Sequence, residues 1–494
     1  MRAANHIGRI GALALFFGVG GGAALTAGAP EAQADSVLDD LRPNISVSAG
    51  GHNVVTSGSA TAQSSGRYSL AVAIGKNSTA TATGNQNSAL VLGNSSTATA
   101  SGGTRNSAVV IGDGSTATAA QGNGNRTMAI GTNVHAQAGF GNNNSAFARG
   151  RDTQALAGCG QNVVTCNDNR ASAAGVGSRA EVRFGNGNTA VVNGNNSQAT
   201  VWRGTNNTAE AHGDNSEAVA ALGNTDDHNV AVARGNGSYA EASAGNRNVA
   251  RATGTDSYAI AGWGNDNSAS ALGIEAGAEA TFGDRNVASA RGDGSYAAAT
   301  EGHDNYAETK GLFGVAYAAQ GSNNVAVSQG EGSRALALFG DGNDARATGI
   351  KTTAEASEGD GNTALADGDG SSAYAGVGDG NTATVKGLDS RSEANYGNGN
   401  TASVKGHNSS ASAGGLSDTE GTITPGNNNV ATVKGNNSRA VAGALPTGPT
   451  TSEPGSANTA SVTGNNSSAT AGPGDGNEAI LAGDNQTLEV PPQP

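Results

Sequence analysis

Aspartates set between glycines are the residues of this chain that are best suited to chemistry. The run Gly-Asp-Gly-Asn begins at Gly340, Gly359 and Gly378, and Gly-Asp-Gly-Ser begins at Gly292. Carboxylate oxygens are the ligands that Ca²⁺ prefers, and stacked turns bring successive aspartates together. A calcium-binding repeat also needs an Asp at a fixed later place in each turn, and this chain usually has Asn there. The pattern therefore leaves weak calcium binding open and predicts no resident cofactor.

Histidines and basic pairs give no catalytic arrangement. None of the histidines stands at metal-ligand or triad spacing from a Cys or a carboxylate, so we expect them to be solvated. Lys386 and Lys405 are neighbours in the repeat described below, as are Arg291 and Lys310. No cluster of acidic residues lies beside either pair to complete a catalytic site. The sequence therefore predicts that the protein is not an enzyme. The histidines are His6, His52, His135, His212, His228, His303 and His407.

The two cysteines of the chain, Cys159 and Cys166, lie in one interruption of its repeat. Asn144 and Asn169, which bracket them, are 25 residues apart instead of 19. In an exported chain this placement predicts a local disulfide that closes a protruding loop. A metal site is the weaker interpretation, because no His or third Cys lies nearby.

Three Thr-x-Thr pairs, beginning at Thr79, Thr97 and Thr116, give the chain a second alternative function. A flat array of threonines is how some solenoids bind ice. The array is short and ends at His135. A ligand-binding solenoid, for calcium or for ice, is therefore the alternative to the function inferred below.

A period of 19 residues determines the elements that carry these side chains. A fixed short period means one supersecondary unit stacked many times, since no copy can bury its apolar face alone. We predict that the asparagines of this column are structural, with amides that stack inside a turn and satisfy backbone groups at the corner. The column includes Asn248, Asn267, Asn286, Asn305, Asn324, Asn343, Asn362, Asn381 and Asn400.

Each coil contains two runs in which small apolar and polar residues alternate. Residues 248–254 and 257–264 are such runs. Both end in Gly, and the next two residues are Thr-Asp after the first run and Asn-Asp after the second, which is a strand-and-turn signal. The fold class is therefore all-β, a parallel β-solenoid of roughly 20 coils in halves of nine and ten residues. A second column of Ser or Thr marks the opposite corner and is broken at Ala276 and Gly314.

A third column, which precedes the glycine of the ten-residue half, holds several large aromatic residues. Two interpretations stay open: these rings cap a thin core at a half-buried corner, or they form a broken aromatic stripe for adhesion. The residues are Phe140, Phe184, Trp263, Phe282, Phe339 and Tyr396.

Charge and the N-terminal segment bear on partners and location. The net charge is −14 and the basic residues are scattered singly, which argues against nucleic-acid binding. Residues 1–34 have a basic start, an apolar stretch and an Ala-Gln-Ala cleavage site, as in a secretory signal peptide. No later stretch is apolar enough for a transmembrane segment. We therefore expect a secreted or cell-surface protein.

The register of the repeat also predicts the domain limits. Residues 35–52 form an N-terminal cap or a loose segment, and 53–485 form the solenoid. A Pro-rich tail occupies 486–494. Loop insertions interrupt the solenoid near 158–167, 225–228, 416–426 and 444–456.

The first coils resemble the YadA-like head repeats of trimeric autotransporter adhesins, which form a parallel β-roll. The likeness rests on residues 69–75, 87–93 and 106–112, separated by small-residue runs, and is clearest over 66–131. It is partial, because the period of 19 is longer than usual and neither a heptad stalk nor a membrane anchor is present. The resemblance implies a bacterial surface adhesin that contacts host, matrix or cell-surface molecules, often as a homotrimer. We therefore predict an exported, non-enzymatic structural or adhesin-like protein that displays a long rigid solenoid.

Overall fold

The computed structural model describes residues 43–159, 166–223, 226–417, 423–443 and 455–490. Every regular element in these ranges is a β-strand. The chain divides into two compact units, Met1–Ala190 and Val191–Pro494, which are described separately. The predicted signal peptide and the last four residues of the predicted tail lie outside the described ranges, as do parts of the predicted insertions.

Two parallel sheets are built from alternate strands, which confirms the predicted all-β solenoid, of about 21 turns. Strands that follow the Asn column form the Asn-side sheet, and strands that follow the Ser/Thr column form the Ser-side sheet. Neighbouring coils pair residue for residue. Ser88–Leu92 pairs with Ser107–Ile111 in the first sheet, and Thr353–Ser357 pairs with Ser372–Gly376 in the second.

In the first unit the Asn-side sheet begins at Ile45 and the Ser-side sheet at Thr61. The Asn-side strands are Ile45–Ala49, His52–Ser57, Leu70–Ile74, Ser88–Leu92, Ser107–Ile111, Arg126–Ile130, Ser145–Arg149, Arg170–Ala174 and Thr189–Asn193, the last of which spans the division. The Ser-side strands are Thr61–Ser65, Thr79–Thr83, Thr97–Ser101, Thr116–Ala120, His135–Gly139, Gln154–Gly158 and Arg179–Val182.

The second unit continues the same alternation. Its Asn-side strands are Thr208–His212, Val230–Arg234, Val249–Thr253, Ser268–Leu272, Val287–Arg291, Tyr306–Lys310, Val325–Gln329, Asp344–Thr348, Thr363–Asp367, Thr382–Lys386, Thr401–Lys405, Val430–Lys434, Thr459–Thr463 and Glu478–Ala482. Its Ser-side strands are Gln198–Val201, Glu217–Ala220, Tyr239–Ala242, Tyr258–Ile260, Gly277–Glu279, Tyr296–Thr300, Val315–Ala319, Arg334–Leu338, Thr353–Ser357, Ser372–Gly376, Arg391–Asn395, Ser410–Gly414, Arg439–Gly443, Ser468–Ala471 and Thr487–Val490. A separate antiparallel pair joins Leu416–Ser417 to Ile423–Thr424.

The core between the sheets is made almost entirely of alanine and valine. In Thr363–Asp367 the inward residues Ala364 and Ala366 are buried, while the outward residues are not. Valine is the largest apolar side chain found at full burial in the described coils. Because each coil buries little apolar area, most of the order in the stack comes from backbone and side-chain ladders.

Glycine is required at both corners because successive coils approach closely there. A Cβ added at Gly359 would lie 2.1 Å from the carbonyl oxygen of Gly378, and one added at Gly368 would lie 2.0 Å from that of Gly387. Both glycines also have positive φ, which a residue with a Cβ adopts only at a cost.

One strand closes the N-terminal edge of both sheets in the first unit. Ile45–Ala49 pairs antiparallel with Leu70–Ile74 of the Asn-side sheet. Its outer edge pairs with His52–Ser57. The hydroxyls of Ser46 and Ser48 accept the N–H groups of Ala62 and Ser64 in the Ser-side sheet, at 2.9 and 3.0 Å. A sheet edge that would otherwise be open is thereby satisfied.

Candidate functional site

The Asn column is a continuous hydrogen-bond ladder inside one corner. Asn324 is fully buried, its Oδ1 accepts the N–H of Asn343 at 2.9 Å, and its Nδ2 donates to the carbonyl of Gly340 at 2.8 Å. From Asn248 to Asn400 each Oδ1 accepts the N–H of the next Asn in the column. The Nδ2 groups differ, since those of Asn343, Asn362, Asn381 and Asn400 donate to a carbonyl five residues earlier in the chain. The structure places all nine predicted asparagines in this buried setting: Asn248, Asn267, Asn286, Asn305, Asn324, Asn343, Asn362, Asn381 and Asn400.

The opposite corner carries a hydroxyl ladder. Ser390 Oγ donates to the carbonyl of Gly406 at 2.9 Å and accepts the N–H of Ser409 at 3.2 Å. This column is interrupted at Ala276 and Gly314, where no hydroxyl is available. Beside Ala276, the buried Ser257 Oγ has no hydrogen-bond partner.

The aspartates of the Gly-Asp-Gly-Asn runs form a third, outer ladder on the Asn corner. Asp360 Oδ1 accepts the N–H of Asp341 at 2.7 Å, and Asp379 Oδ1 accepts that of Asp360 at 2.9 Å. The carboxylates are therefore strung along the stack as backbone caps instead of converging on one point. Within the described ranges, no group of three or more His, Cys, Asp or Glu residues could hold a metal ion.

Two histidines take the same capping role as these aspartates. His303 Nδ1 accepts the N–H of Asp284, and His407 Nδ1 accepts that of Leu388, each at 3.0 Å. Both imidazoles are exposed. Their place directly after a corner glycine, which Asp and Asn otherwise occupy, is the sequence signal for this role.

An alternating ion-pair ladder follows the Asn corner in the second unit. Arg247 binds Asp266 through two N–O contacts of 2.6 Å, and Arg285 binds Asp304 in the same way. The hydrogen bond from each guanidinium lowers the pKa of the paired carboxyl. Because coils stack in register, alternation of sign avoids placing like charges one above the other.

A tyrosine cluster on the outer face of the Ser-side sheet was not predicted. Tyr258 donates its hydroxyl proton to Glu279 Oε1 at 2.6 Å, and its ring centroid lies 6.4 Å from that of Tyr296. Tyr296 in turn lies 5.3 Å from Tyr317. Gly277 leaves the space into which the first two rings lean, since a Cβ there would meet Tyr258 at 2.4 Å.

The phenol groups of Tyr258 and Tyr296 are partly removed from solvent by burial. This burial raises the pKa of Tyr258 and of Tyr296 far above the usual phenol range, and the neighbouring Glu279 carboxylate adds to the rise. The repetition of Tyr at positions 239, 258 and 296, all in one column, is the signal that could have revealed the cluster.

The aromatic column divides into two sets. Trp263, Phe282 and Phe339 are 61%, 57% and 52% exposed, so the capping interpretation is wrong for these three residues. The remaining members are partly buried, as a corner cap requires: Phe140, Phe184 and Tyr396.

The predicted disulfide between Cys159 and Cys166 is present, with Cα atoms 5.6 Å apart. Beside it, within the first unit, lies a cleft of about 320 Å³ lined in part by Leu156 and Phe184. Its one buried carboxylate, Glu181, accepts Arg183 Nε at 2.7 Å and lies 2.7 Å from Arg179. That charge is thus neutralised by structural ion pairs, and the cleft carries no arrangement of acid, base and nucleophile.

Comparison with models of known protein families and with curated proteins finds no match. The described ranges contain no helix of the length and apolarity that a membrane crossing requires.

Proposed function

We propose that this protein is an exported, non-enzymatic surface repeat protein that makes many weak contacts through the outer face and corners of its coils. The observation that carries the proposal is the exposure of Trp263, Phe282 and Phe339 in one column of the second unit. Exposed large aromatic side chains in a repeated position are typical of contact surfaces.

Repetition supports an adhesive role for such a surface. Equivalent corners recur in coil after coil, so many weak contacts add up to strong overall binding when several engage at once. The disulfide is compatible with an oxidising compartment, as an exported protein would meet. The resemblance of the first coils to trimeric autotransporter heads favours host, matrix or cell-surface partners and a homotrimer.

Fractionation of the native protein, combined with adhesion of a deletion strain, tests this proposal. We expect the protein in the surface fraction and reduced attachment of the deletion strain to host cells or matrix. Complementation with a chain carrying Trp263→Ser, Phe282→Ser and Phe339→Ser should restore export without restoring attachment. Purely soluble secretion with unchanged attachment would contradict the proposal.

Ice binding is a second candidate, and the threonine array of the first unit favours it. Thr79, Thr97 and Thr116 stack in register, as do Thr81, Thr99 and Thr118 two residues later. Thr61 extends the first row by one coil. Inhibition of ice recrystallisation by the mature protein, abolished by Thr99→Leu, would favour this candidate. Absence of inhibition would exclude it.

A further inference from the structure

Three lysines form a basic row on the Asn-side sheet of the second unit. Lys386, Lys405 and Lys434 are the last residues of consecutive strands and pair in register. All three side chains are exposed. Successive strands of a sheet lie about 4.8 Å apart, so three ammonium groups are spaced at this interval along the stack. We call these residues the lysine row.

One carboxylate, that of Asp367, stands in register beside Lys386, whereas Lys405 and Lys434 have only lysine or threonine as neighbours in the same strand position. Like charges stacked directly above one another destabilise a sheet, and the lysine row lacks the alternation of sign seen in the Arg247–Asp304 ladder. Lys310, which occupies the same strand position further back, lies 3.0 Å from Glu308. No ion pair of the described residues involves the lysine row.

Hydroxyl groups flank the lysine row on the same face. Thr384, Ser403 and Thr432 stand two residues before the three lysines and point to the same side of the sheet. They are also stacked in register. Each of the three coils thus presents a neutral hydroxyl donor followed by an ammonium group, which is a donor set for anionic oxygen atoms.

We propose that this face binds a sulfated polysaccharide that lies along the stack, with its sulfate groups against the lysine row. The inference rests on the proposed surface-contact function and names the chemistry of one partner. A linear polyanion fits because its charges repeat along one direction, as the ammonium groups do. Single-stranded nucleic acid fits less well, since Thr382–Lys386, Thr401–Lys405 and Val430–Lys434 contain no aromatic residue for base stacking.

Calorimetric titration of the mature chain with heparin oligosaccharides tests the proposal, with Lys386→Gln, Lys405→Gln and Lys434→Gln combined in one variant. We expect this variant to bind about tenfold more weakly or worse and to lose most of its dependence on salt concentration. The matched control removes three exposed cations of other columns, through Arg251→Gln, Arg334→Gln and Arg439→Gln. It has the same net charge and should bind as the unaltered chain does.

Thermal melting by circular dichroism accompanies the titration, because removal of like charges should leave the lysine-row variant at least as stable as the unaltered chain. Equal weakening in the control variant would mean that net charge alone governs binding and would overturn the proposal. So would the absence of heparin binding, or equal competition by polyphosphate or by an oligothymidylate of the same charge. Loss of adhesion in the deletion strain is a separate result, so failure of one proposal is distinguishable from failure of the other.

Discussion

The two corners of the coil solve the same problem with different chemistry. At the Asn corner an amide bonds both an N–H and a C=O of the next coil, as Asn324 does at 2.9 and 2.8 Å. At the Ser corner one hydroxyl both donates and accepts, as Ser390 Oγ does with the carbonyl of Gly406 and the N–H of Ser409. The bond that Ser390 Oγ accepts is longer, at 3.2 Å. The amide column has no break between Asn87 and Asn477 in the described coils, whereas the hydroxyl column has several.

The two halves of the coil also differ in how much their length varies. From each Asn to the following Ser-column residue the chain always runs nine residues, as from Asn87 to Ser96 and from Asn458 to Ser467. All four insertions leave from the other half, before the next Asn. The Asn corner is therefore the one that tolerates extra chain.

The amide bond to the following coil is kept across two of these insertions. Asn144 Nδ2 donates to the carbonyl of Cys166 at 2.6 Å, directly after the disulfide loop. Asn207 Nδ2 donates to the carbonyl of Asp226 at 2.6 Å, after the next insertion. In both cases the acceptor lies three residues before the next column Asn, as in an uninterrupted coil. The hydrogen-bond position of the column is thus the same after these two insertions as in a regular coil.

The largest expected effect is common to both corners. Gly359→Ala and Gly368→Ala should each destabilise the protein by about 3 kcal/mol or more, since the added Cβ meets backbone atoms that cannot move without parting two coils. Gly361→Ala is the control, because no atom lies within 4 Å of its added Cβ and only its positive φ of 66° is strained. It should cost about 1 kcal/mol in chemical denaturation. Equal costs for all three variants would contradict the close approach of the coils.

A matched pair of insertions tests the difference between corners directly. Six Gly/Ser residues, the excess length of the Asn144-to-Asn169 coil, are inserted after Phe339 at the Asn corner or after Thr348 at the Ser corner. The first should cost about 1.5 kcal/mol, which is the loop-closure entropy. The second should cost clearly more, because the chain holds the segment from each Asn to the following Ser-column residue at a constant nine residues. Equal melting temperatures of the two variants would show that the corners do not differ in tolerance.

The periodic pattern was sufficient to predict the architecture, and the reason is physical. A column such as Asn324, Asn343 and Asn362 repeats only if each member meets the same surroundings, so period alone implies stacking. The two strands per coil follow from the same argument, whereas the disulfide of Cys159 with Cys166 was predicted from their shared place in one interruption. The period could not predict the antiparallel pairing of Ile45–Ala49, because residues 35–52, expected to be a cap or a loose segment, lie outside the repeat.

Side-chain direction at the corners was also beyond the sequence. Phe282 is exposed and Phe140 is partly buried, although both are phenylalanines of one column, so residue type does not encode the difference. The tyrosine cluster depends on Gly277, whose missing side chain admits two rings from neighbouring coils. Asp341 and Asp360 suggested calcium by residue type alone, and only their placement reveals backbone caps.

Loss of one amide should cost less than a misplaced Cβ. Asn324→Leu leaves the N–H of Asn343 and the carbonyl of Gly340 buried without partners, and we expect a loss of about 1–3 kcal/mol in the free energy of unfolding. Asn193→Leu is the control, since Asn193 is exposed at the end of the strand Thr189–Asn193. An unchanged melting temperature for Asn324→Leu would show that the ladder adds no stability.

Loss of one hydroxyl at the other corner should cost less again. Ser390→Ala removes the donor to Gly406 and the acceptor for Ser409, for which we expect about 0.5–1 kcal/mol in the same measurement. The column already tolerates such losses at Ala276 and Gly314. A cost as large as that of Asn324→Leu would mean that the two ladders are equivalent.

The smallest expected effect is a gain, where the hydroxyl ladder is repaired. Ala276 is fully buried between Ser257 and Ser295, and Ser257 Oγ beside it has no partner. Ala276→Ser should place a hydroxyl where both neighbouring coils already hold one and raise the stability by about 0.5 kcal/mol. Ala276→Val adds bulk without a hydrogen bond and should bring no gain. If Ala276→Ser lowers the melting temperature, the corner has no room for the hydroxyl and packing requires the small side chain. The conformation of the Ser corner would then depend on steric packing, and that of the Asn corner on hydrogen bonds.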